Sequence, residues 1–328
     1  MHKNQKFLTL AGTALLLMTV IAACGGTEDA SEPEGSTELE IVVTTTFLGD
    51  VVKQVAGDIP LIKVLLEPGQ NPHSYQPTPQ DMVNITRADA IIVNGLDLEE
   101  FLDDLLDGSD TQAELIVASE GVEPLGLPEA ADHPETLEEH EGDHEGEDHH
   151  DHEGGFDPHV WFNPNNIIIW TENIVTALSE LDPDHASVYQ ANGQDYQEEL
   201  KALDSWIQEE IERIPQENRK LVTDHTSLGY FAEEYGFTQI GAVIPALTTE
   251  AETSGQELAG LVDLIRDTGT KAIFVGIDFD PTLAEQVAKE AGVDLVPLYF
   301  GSLSAGEPAG TYLDFMRYDV NAIVSALE

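Results

Sequence analysis

The segment Phe156-Asp157-Pro158-His159-Val160-Trp161-Phe162-Asn163-Pro164 determines how this chain is organised, because it places one histidine in a rigid, apolar setting. His159 lies between two prolines and beside two aromatic residues, so its backbone is stiff and its neighbours favour burial. These surroundings are typical of a fixed ligand at the edge of a pocket. Such a ligand needs partners, which must come from other parts of the chain.

The run that precedes this segment is different in kind. Between Asp132 and Asp157 there are six histidines, twelve acids and no Lys or Arg. Imidazoles and carboxylates at this density predict an auxiliary loop that collects divalent cations weakly, although a merely solvated loop would have the same composition. The histidines of this histidine-rich loop are His133, His140, His144, His149, His150 and His152.

The beginning of the chain has the pattern of an export signal. Two lysines precede an apolar run from Phe7 to Ala22, and small residues come immediately before Cys24. This run could anchor the chain uncut, but the small residues favour cleavage, so residues 1–23 are predicted to be a lipoprotein signal peptide. Ala22-Ala23-Cys24 resembles the bacterial lipobox, which implies a lipid on Cys24. Residues 24–38 are too polar to pack and predict a tether, and the single cysteine excludes an intrachain disulfide.

The charge of the chain excludes one class of partner. There are 63 acids against 13 Lys and Arg, and removal of Lys3 and Lys6 with the signal takes the formal charge from −50 to −52. Phosphate contacts require a basic surface, so nucleic acid is excluded as a partner.

The remaining part of the chain, about 290 residues, exceeds the usual size of one core and predicts two domains. In its first half, short β-branched runs are typical of strands that are covered on both faces. Helical patterns at 47–56, 79–87 and 98–106 separate them, which predicts a parallel sheet. The predicted strands are Leu39–Thr46, Leu61–Leu66, Ala90–Gly95 and Leu115–Ala118.

A long helical pattern precedes a second series of strands. After a helix at 167–181, the pattern runs from Asp182 to about Ile214, which corresponds to roughly 45 Å. This helix could pack within one lobe, but the strand pattern restarts directly after it, which favours a helix that spans two lobes. We therefore predict an α/β fold of two lobes, each a mostly parallel sheet flanked by helices, joined by one long rigid helix. The predicted limits are 39–182 for the N-terminal lobe with the loop 132–157, 183–215 for the linking helix and 216–328 for the C-terminal lobe.

Three histidines fall at or just after the ends of predicted strands. They are His73, His159 and His225, two in the first lobe and one in the second. Ligands of open parallel sheets bind at the carboxyl ends of strands, so these side chains can converge in the cleft between the lobes. Three neutral imidazoles suit zinc, with cobalt, nickel and copper also chemically possible.

Four segments of the chain resemble motifs of one known family. Three of them contain the histidines above, and the fourth lies near the C-terminus. They are Asn71–Pro79, Asp157–Pro164, Thr223–Phe231 and Thr311–Tyr318. Together they resemble the solute-binding lipoproteins of zinc and manganese ABC importers, the zinc-uptake binding-protein family of cluster A-I type. The resemblance covers nearly all of residues 39–328. It implies a buried metal between two lobes and delivery to an ABC permease by a monomeric protein, lipid-anchored on the outer face of the cytoplasmic membrane.

The resemblance also bears on the metal. Manganese members commonly have a carboxylate where this chain has His225, and Mn²⁺ prefers oxygen ligands, so Zn²⁺ is the expected transported ion. The family's fourth ligand is often an acid after the last strand, a place that our alignment gives to Ser302. A serine hydroxyl is a poor ligand, so the fourth ligand is expected to be water or an acid such as Asp278 or Asp280. Either acid could instead cap the helix that begins near Pro281.

Two other functions share some of these features. Three histidines and a water also form the first shell of a catalytic zinc in hydrolases and lyases. The chain contains no His-Glu-x-x-His motif, so we expect it not to be an enzyme. A metal-storage or adhesion lipoprotein would have the same location as a transport component.

Overall fold

The chain folds around two parallel sheets of four strands, one in each half of the sequence. The computed structural model describes residues 39–126 and 155–328. The strands of the first sheet lie in the order β2-β1-β3-β4. They are β1 (Glu40–Val43), β2 (Leu61–Val64), β3 (Ala90–Val93) and β4 (Glu114–Val117), and the helices between them are α1 (Thr46–Ala56), α2 (Pro79–Arg87) and α3 (Leu102–Asp107).

The order of the strands explains one difference from the sequence prediction. The central strands β1 and β3 are almost completely buried, as the continuous apolar runs predicted. On the edge strands β2 and β4, Leu61, Val64, Leu115 and Val117 are exposed. Coverage on both faces is therefore right for the centre of the sheet and wrong for its edges.

The second half repeats this topology. Its strands lie in the order β6-β5-β7-β8, and all of the pairings are parallel. The strands are β5 (Lys220–His225), β6 (Thr238–Ile244), β7 (Ala272–Gly276) and β8 (Asp294–Leu298). The helices are α6 (Gly229–Tyr235), α7 (Gly255–Thr268), α8 (Thr282–Ala291) and α9 (Tyr312–Leu327).

Two helices connect the sheets, α4 (Pro164–Leu181) and α5 (Ala186–Ile211). The 26 residues of α5 span about 39 Å. The helix packs against α1 of the first half and α9 of the second half, and its buried stripe includes Tyr189, Tyr196, Leu200, Leu203 and Ile207. One hydrophobic cluster therefore extends through both halves, and each half also has a smaller cluster of its own. The helix begins three residues after and ends four residues before the predicted limits 183–215. We propose that it separates an N-terminal lobe at 39–182 from a C-terminal lobe at 216–328.

Several predicted features lie outside the described residues. They are the signal peptide at 1–23, the lipid site Cys24, the tether at 24–38 and the six histidines of the histidine-rich loop. Within residues 39–126 and 155–328, no helix combines the length and the apolar character that crossing a bilayer requires.

Candidate metal site

The three predicted histidines meet where the two halves face each other. His73 lies in a 3₁₀ turn (Pro72–Ser74) after β2, His159 precedes a second turn (Val160–Phe162), and His225 is the last residue of β5. The Nε2 atom of His159 is 3.0 Å from that of His73 and 3.2 Å from that of His225. One ligand atom from each residue lies within 4.8 Å of the others. The structure thus brings together the three histidines that were predicted to be the main ligands.

Local hydrogen bonds fix the backbone at these positions. The Asn71 side chain accepts a hydrogen bond from the His73 N–H at 2.9 Å, which starts the 3₁₀ turn. Asp157 accepts one from the His159 N–H at 2.9 Å, and Asp224 accepts one from the His225 N–H at 2.6 Å. Each histidine is therefore placed by a polar residue one or two positions before it.

Two buried aspartates also orient the imidazole rings. Asp157 Oδ1 is 2.7 Å from His159 Nδ1, and Asp224 Oδ1 is 2.6 Å from His225 Nδ1. A carboxylate accepts a hydrogen bond from Nδ1–H, so these contacts assign the tautomer in which Nε2 carries a lone pair. The lone pairs of His159 and His225 then face each other across 3.2 Å. A cation between them relieves that repulsion.

Burial favours the neutral form of the His73 and His159 imidazoles. His159 is 1% exposed and His225 4%. Burial lowers the pKa of His73 to about 2 and holds the pKa of His159 well below its ordinary value. Burial also raises the pKa of Asp157 to about 7. At neutral pH the His73 and His159 rings are therefore neutral, and each has one unprotonated nitrogen that can bind a metal.

The cavity between the histidines limits what can bind there. Its volume is about 10 Å³, which is room for a single water-sized species. Sites for organic ligands usually measure about 300–1,000 Å³. Trp161 and Phe300 form apolar parts of its wall, and the Trp161 indole N–H donates to the Phe300 carbonyl at 3.0 Å. The site accommodates an ion and excludes an organic substrate.

The two candidate fourth ligands, Asp278 and Asp280, differ in their position relative to the cavity. Asp278 lines the cavity, and burial raises its pKa to about 6. Asp280 is exposed, and its Oδ1 accepts hydrogen bonds from the backbone and the hydroxyl of Thr282 in the first turn of α8. Asp280 therefore has the capping role that was the alternative for both acids.

The alignment of Ser302 with the family's acid needs correction. The Ser302 hydroxyl accepts a hydrogen bond from the Gly69 N–H at 2.8 Å and does not line the cavity. Its neighbour Gly301 lines the cavity instead. An offset of one residue is enough for this difference, because the side chains of an extended loop alternate in direction.

The sequence prediction missed the two aspartates that orient the rings. Their signal was present, since Asp157 is two residues before His159 and Asp224 is adjacent to His225. Ligand histidines usually donate their second ring N–H to a carboxylate or a carbonyl. An acid next to each candidate histidine could therefore have been assigned this role.

Two parallel α/β halves with an ion-sized, imidazole-lined cavity between them define a metal-binding protein of the solute-binding class. The family described as "Zinc-uptake complex component A periplasmic" (ZnuA) matches residues 41–326, and the chain belongs to it. The resemblance inferred from the sequence motifs and the two-lobed fold are thus confirmed.

Individual relatives are similar over almost their whole length. The chain is 30% identical to the manganese-binding lipoprotein MntA of Halalkalibacterium halodurans, over 95% of this chain and 96% of that protein. It is also 30% identical to the iron-binding protein YfeA of Yersinia pestis, over 98% and 96%. The structure of the periplasmic zinc-binding protein TroA from Treponema pallidum matches with a TM-score of 0.75 and 26% identity, over 88% of this chain and 99% of that one.

These comparisons bear on three predictions. The family consists of solute-binding transport components, so the expectation that the chain is not an enzyme is confirmed. The predicted extracytoplasmic, membrane-anchored location agrees with the family's periplasmic description and with the lipoprotein names of relatives. The metal differs among the relatives, whose names specify manganese, iron and zinc.

Proposed function

We propose that this protein captures Zn²⁺ between its two lobes outside the cytoplasm and delivers it to the permease of an ABC importer. The observation that supports this most strongly is the convergence of three neutral imidazoles, His73, His159 and His225, on a cavity of about 10 Å³. A cavity of this size selects ions over molecules, and its nitrogen donors select among ions.

The choice of zinc rests on donor chemistry and spacing. Two nitrogens bound tetrahedrally to zinc at about 2.0–2.1 Å lie about 3.3 Å apart. The Nε2 separations of 3.0 and 3.2 Å are close to this value. Mn²⁺ favours carboxylate and water oxygens, and an imidazole at His225 is a poorer match for it. The family's name specifies zinc uptake.

Two observations support delivery to a permease: the similarity of the chain to transport proteins and the lipid anchor predicted at Cys24. Relatives include proteins named manganese ABC transporter substrate-binding lipoproteins. A lipid on Cys24, followed by a polar tether at 24–38, would hold the binding lobes close to a membrane transporter. Because the ion is transported, the site must bind it tightly and still be able to release it to the permease.

Titration of the purified mature protein with Zn²⁺ and with Mn²⁺ tests the assignment of the metal. We expect one tight equivalent of zinc, and weaker manganese binding that zinc displaces, because nitrogen sites favour zinc over manganese. Isothermal titration calorimetry with a competing chelator gives both affinities. In cells, zinc uptake should depend on this chain. Tighter binding of manganese than of zinc, or no tight equivalent of either, would contradict the proposal.

Deletion of residues 132–154 tests the role of the histidine-rich loop. This deletion removes six histidines but none of the three proposed ligands. We expect the tight zinc equivalent to survive with nearly unchanged affinity, while the total stoichiometry falls through loss of weak sites. The acidic loop should also speed capture by raising the local cation concentration, an effect that salt screens.

The measurement is a calorimetric titration of the deletion variant and the parent protein at two salt concentrations. Acidification gives a second contrast, since free imidazoles protonate near a pKa of about 6.5 and the weak sites proposed for the loop should be lost there first. The ligands of the central site are buried and should hold the metal to lower pH. Disappearance of the tight phase after deletion would show that the loop supplies a ligand.

A further inference from the structure

We propose that Asp278 completes the coordination of the ion, from the end of β7, in a space that Gly276 and Gly301 keep open. This inference rests on the proposed function, because it adds a fourth donor to the three-histidine site. Zinc sites are almost always four-coordinate. Three imidazoles leave one position, and a carboxylate there would also neutralise part of the charge of the ion.

The position of Asp278 follows from the topology. It comes two residues after the end of β7, which is paired with β5, the strand that ends at His225. Asp278 and His225 therefore lie at the same edge of the second sheet, and both side chains line the cavity. This edge of the sheet therefore supplies the imidazole of His225 and the carboxylates of Asp224 and Asp278 to the same cavity. Asp224 is held by the His225 ring and the Gly276 N–H, which leaves Asp278 as the candidate oxygen donor.

Two glycines make room for the carboxylate. A Cβ atom at Gly301 would lie 2.6 Å from Asp278 Oδ2 and 2.8 Å from Pro72 Cδ. A Cβ atom at Gly276 would lie 2.8 Å from Asp278 Oδ1. These distances are shorter than van der Waals contact, so any larger residue at 276 or 301 would displace the carboxylate. Asp278 thus occupies the space into which a side chain at position 301 would project.

Asp278 also borders a second pocket, at the surface of the protein. Besides the histidine cavity, Asp278 lines a surface pocket of about 250 Å³ that includes Gly69, Tyr299 and Ser302. Its oxygens are not part of the group of ligand atoms that lie within 4.8 Å of one another. Rotation of the Asp278 side chain on binding must therefore draw the carboxylate toward the ion. This places Asp278 between solvent and the imidazoles, where it can receive the ion first and release it last.

The test compares Asp278→Asn with Asp280→Asn. Both changes remove one acid from the same loop, but Asp280 is exposed and caps α8. We expect Asp278→Asn to weaken zinc binding at least about 10-fold, the lower end of the loss seen for supporting groups of metal sites. Asp280→Asn should bind zinc like the parent. Competition with a chelator gives the affinities, and the visible spectrum of the Co²⁺ form should change only in the Asp278 variant.

A double variant tests the role of the space itself. Asp278→Ser combined with Gly301→Asp moves the carboxylate to the other side of the same cavity, and it should recover most of the lost affinity. Equal binding by the Asp278→Asn and Asp280→Asn proteins would overturn this inference. If His225→Ala abolished binding in that case, the proposed zinc site would stand without Asp278. If zinc binding survived both Asp278→Asn and His225→Ala, the proposed function itself would fail.

Discussion

Replacement of His225 by alanine is expected to weaken zinc binding by more than about 100-fold. Loss of a group that only supports a metal ligand typically costs about 10–100-fold in affinity, and His225 is proposed as a ligand itself. Its ring also cannot be replaced by a neighbour, since it comes from the end of β5 and enters a cavity of about 10 Å³. His73→Ala and His159→Ala should have comparable effects, because metal and ligands act as a unit.

A series of variants with graded losses of zinc affinity distinguishes a metal ligand from a residue that only orients the ligand. Asp224 holds the Nδ1 atom of His225 at 2.6 Å and also accepts the Gly276 N–H at 2.6 Å. Asp224→Asn keeps the shape but disturbs the tautomer of His225, so the expected loss is about 10–100-fold. Asp182 makes a similar contact, 2.7 Å from His185 Nδ1, on the exposed face of the protein. Asp182→Asn is therefore the matched control and should leave zinc affinity unchanged.

Chelator competition at neutral pH gives these affinities, and circular dichroism shows whether each variant is folded. The expected order of zinc affinity is parent and Asp182→Asn, then Asp224→Asn, then His225→Ala. A tight zinc equivalent that persists when all three histidines are alanine would place the metal site elsewhere. Equal losses for Asp182→Asn and Asp224→Asn would show that the effect of Asp224 is unrelated to the orientation of His225.

The two lobes are joined by more than the long helix. The Thr46 hydroxyl accepts a hydrogen bond from the Leu303 N–H at 2.8 Å, and the Asn71 amide donates to the Thr249 hydroxyl at 3.0 Å. With the contact between Gly69 and Ser302, these bonds link the two halves around the cavity. The backbone loops that carry His73 and line the cavity are thus connected across the cleft.

Local signals in the sequence predicted those parts of the fold that depend on nearby residues. Helix α2 was predicted at 79–87 and is observed at Pro79–Arg87. Its start is fixed by Pro79 and by a capping box in which Thr78 and Asp81 satisfy each other's backbone N–H groups. The apolar runs Lys220–His225 and Ala272–Gly276 predict strands with the limits that β5 and β7 have in the structure. The start of α2 depends on chemistry within a few residues.

Features that depend on distant residues could not be predicted in the same way. Exposure of Leu61 and Leu115 follows from the places of β2 and β4 at the edges of the sheet, and strand order is set by the whole fold. The contrast between Asp278 and Asp280 depends on where the loop after β8 passes. Gly301 belongs to that loop, more than twenty residues later in the sequence. The histidines could be found because His225 ends a strand and His73 and His159 lie in segments that follow strands, and parallel topology brings such segments to one edge of the sheet.

Replacement of Cys24 by serine is expected to release the protein from membranes almost completely. The apolar run from Phe7 to Ala22 has 16 residues, fewer than the roughly 20 that a helix needs to cross a bilayer. Membrane surfaces are generally anionic, and a mature chain with a formal charge of −52 is repelled by them. We therefore expect attachment to come from acyl groups on Cys24, each buried CH₂ of which would contribute about 0.8 kcal/mol.

The experiment compares full-length protein, Cys24→Ser and Ser31→Ala after membranes are washed with high salt. Ser31→Ala alters the tether but keeps the cysteine and the small residues before it, so this protein should remain in the membrane fraction. Mass spectrometry of the N-terminal peptide should show an acylated Cys24 in the parent and in Ser31→Ala. Because lipid attachment and metal binding involve separate parts of the chain, the released Cys24→Ser protein should bind zinc like the parent. Retention of Cys24→Ser in membranes with residues 1–23 still attached would show that the apolar run is itself the anchor.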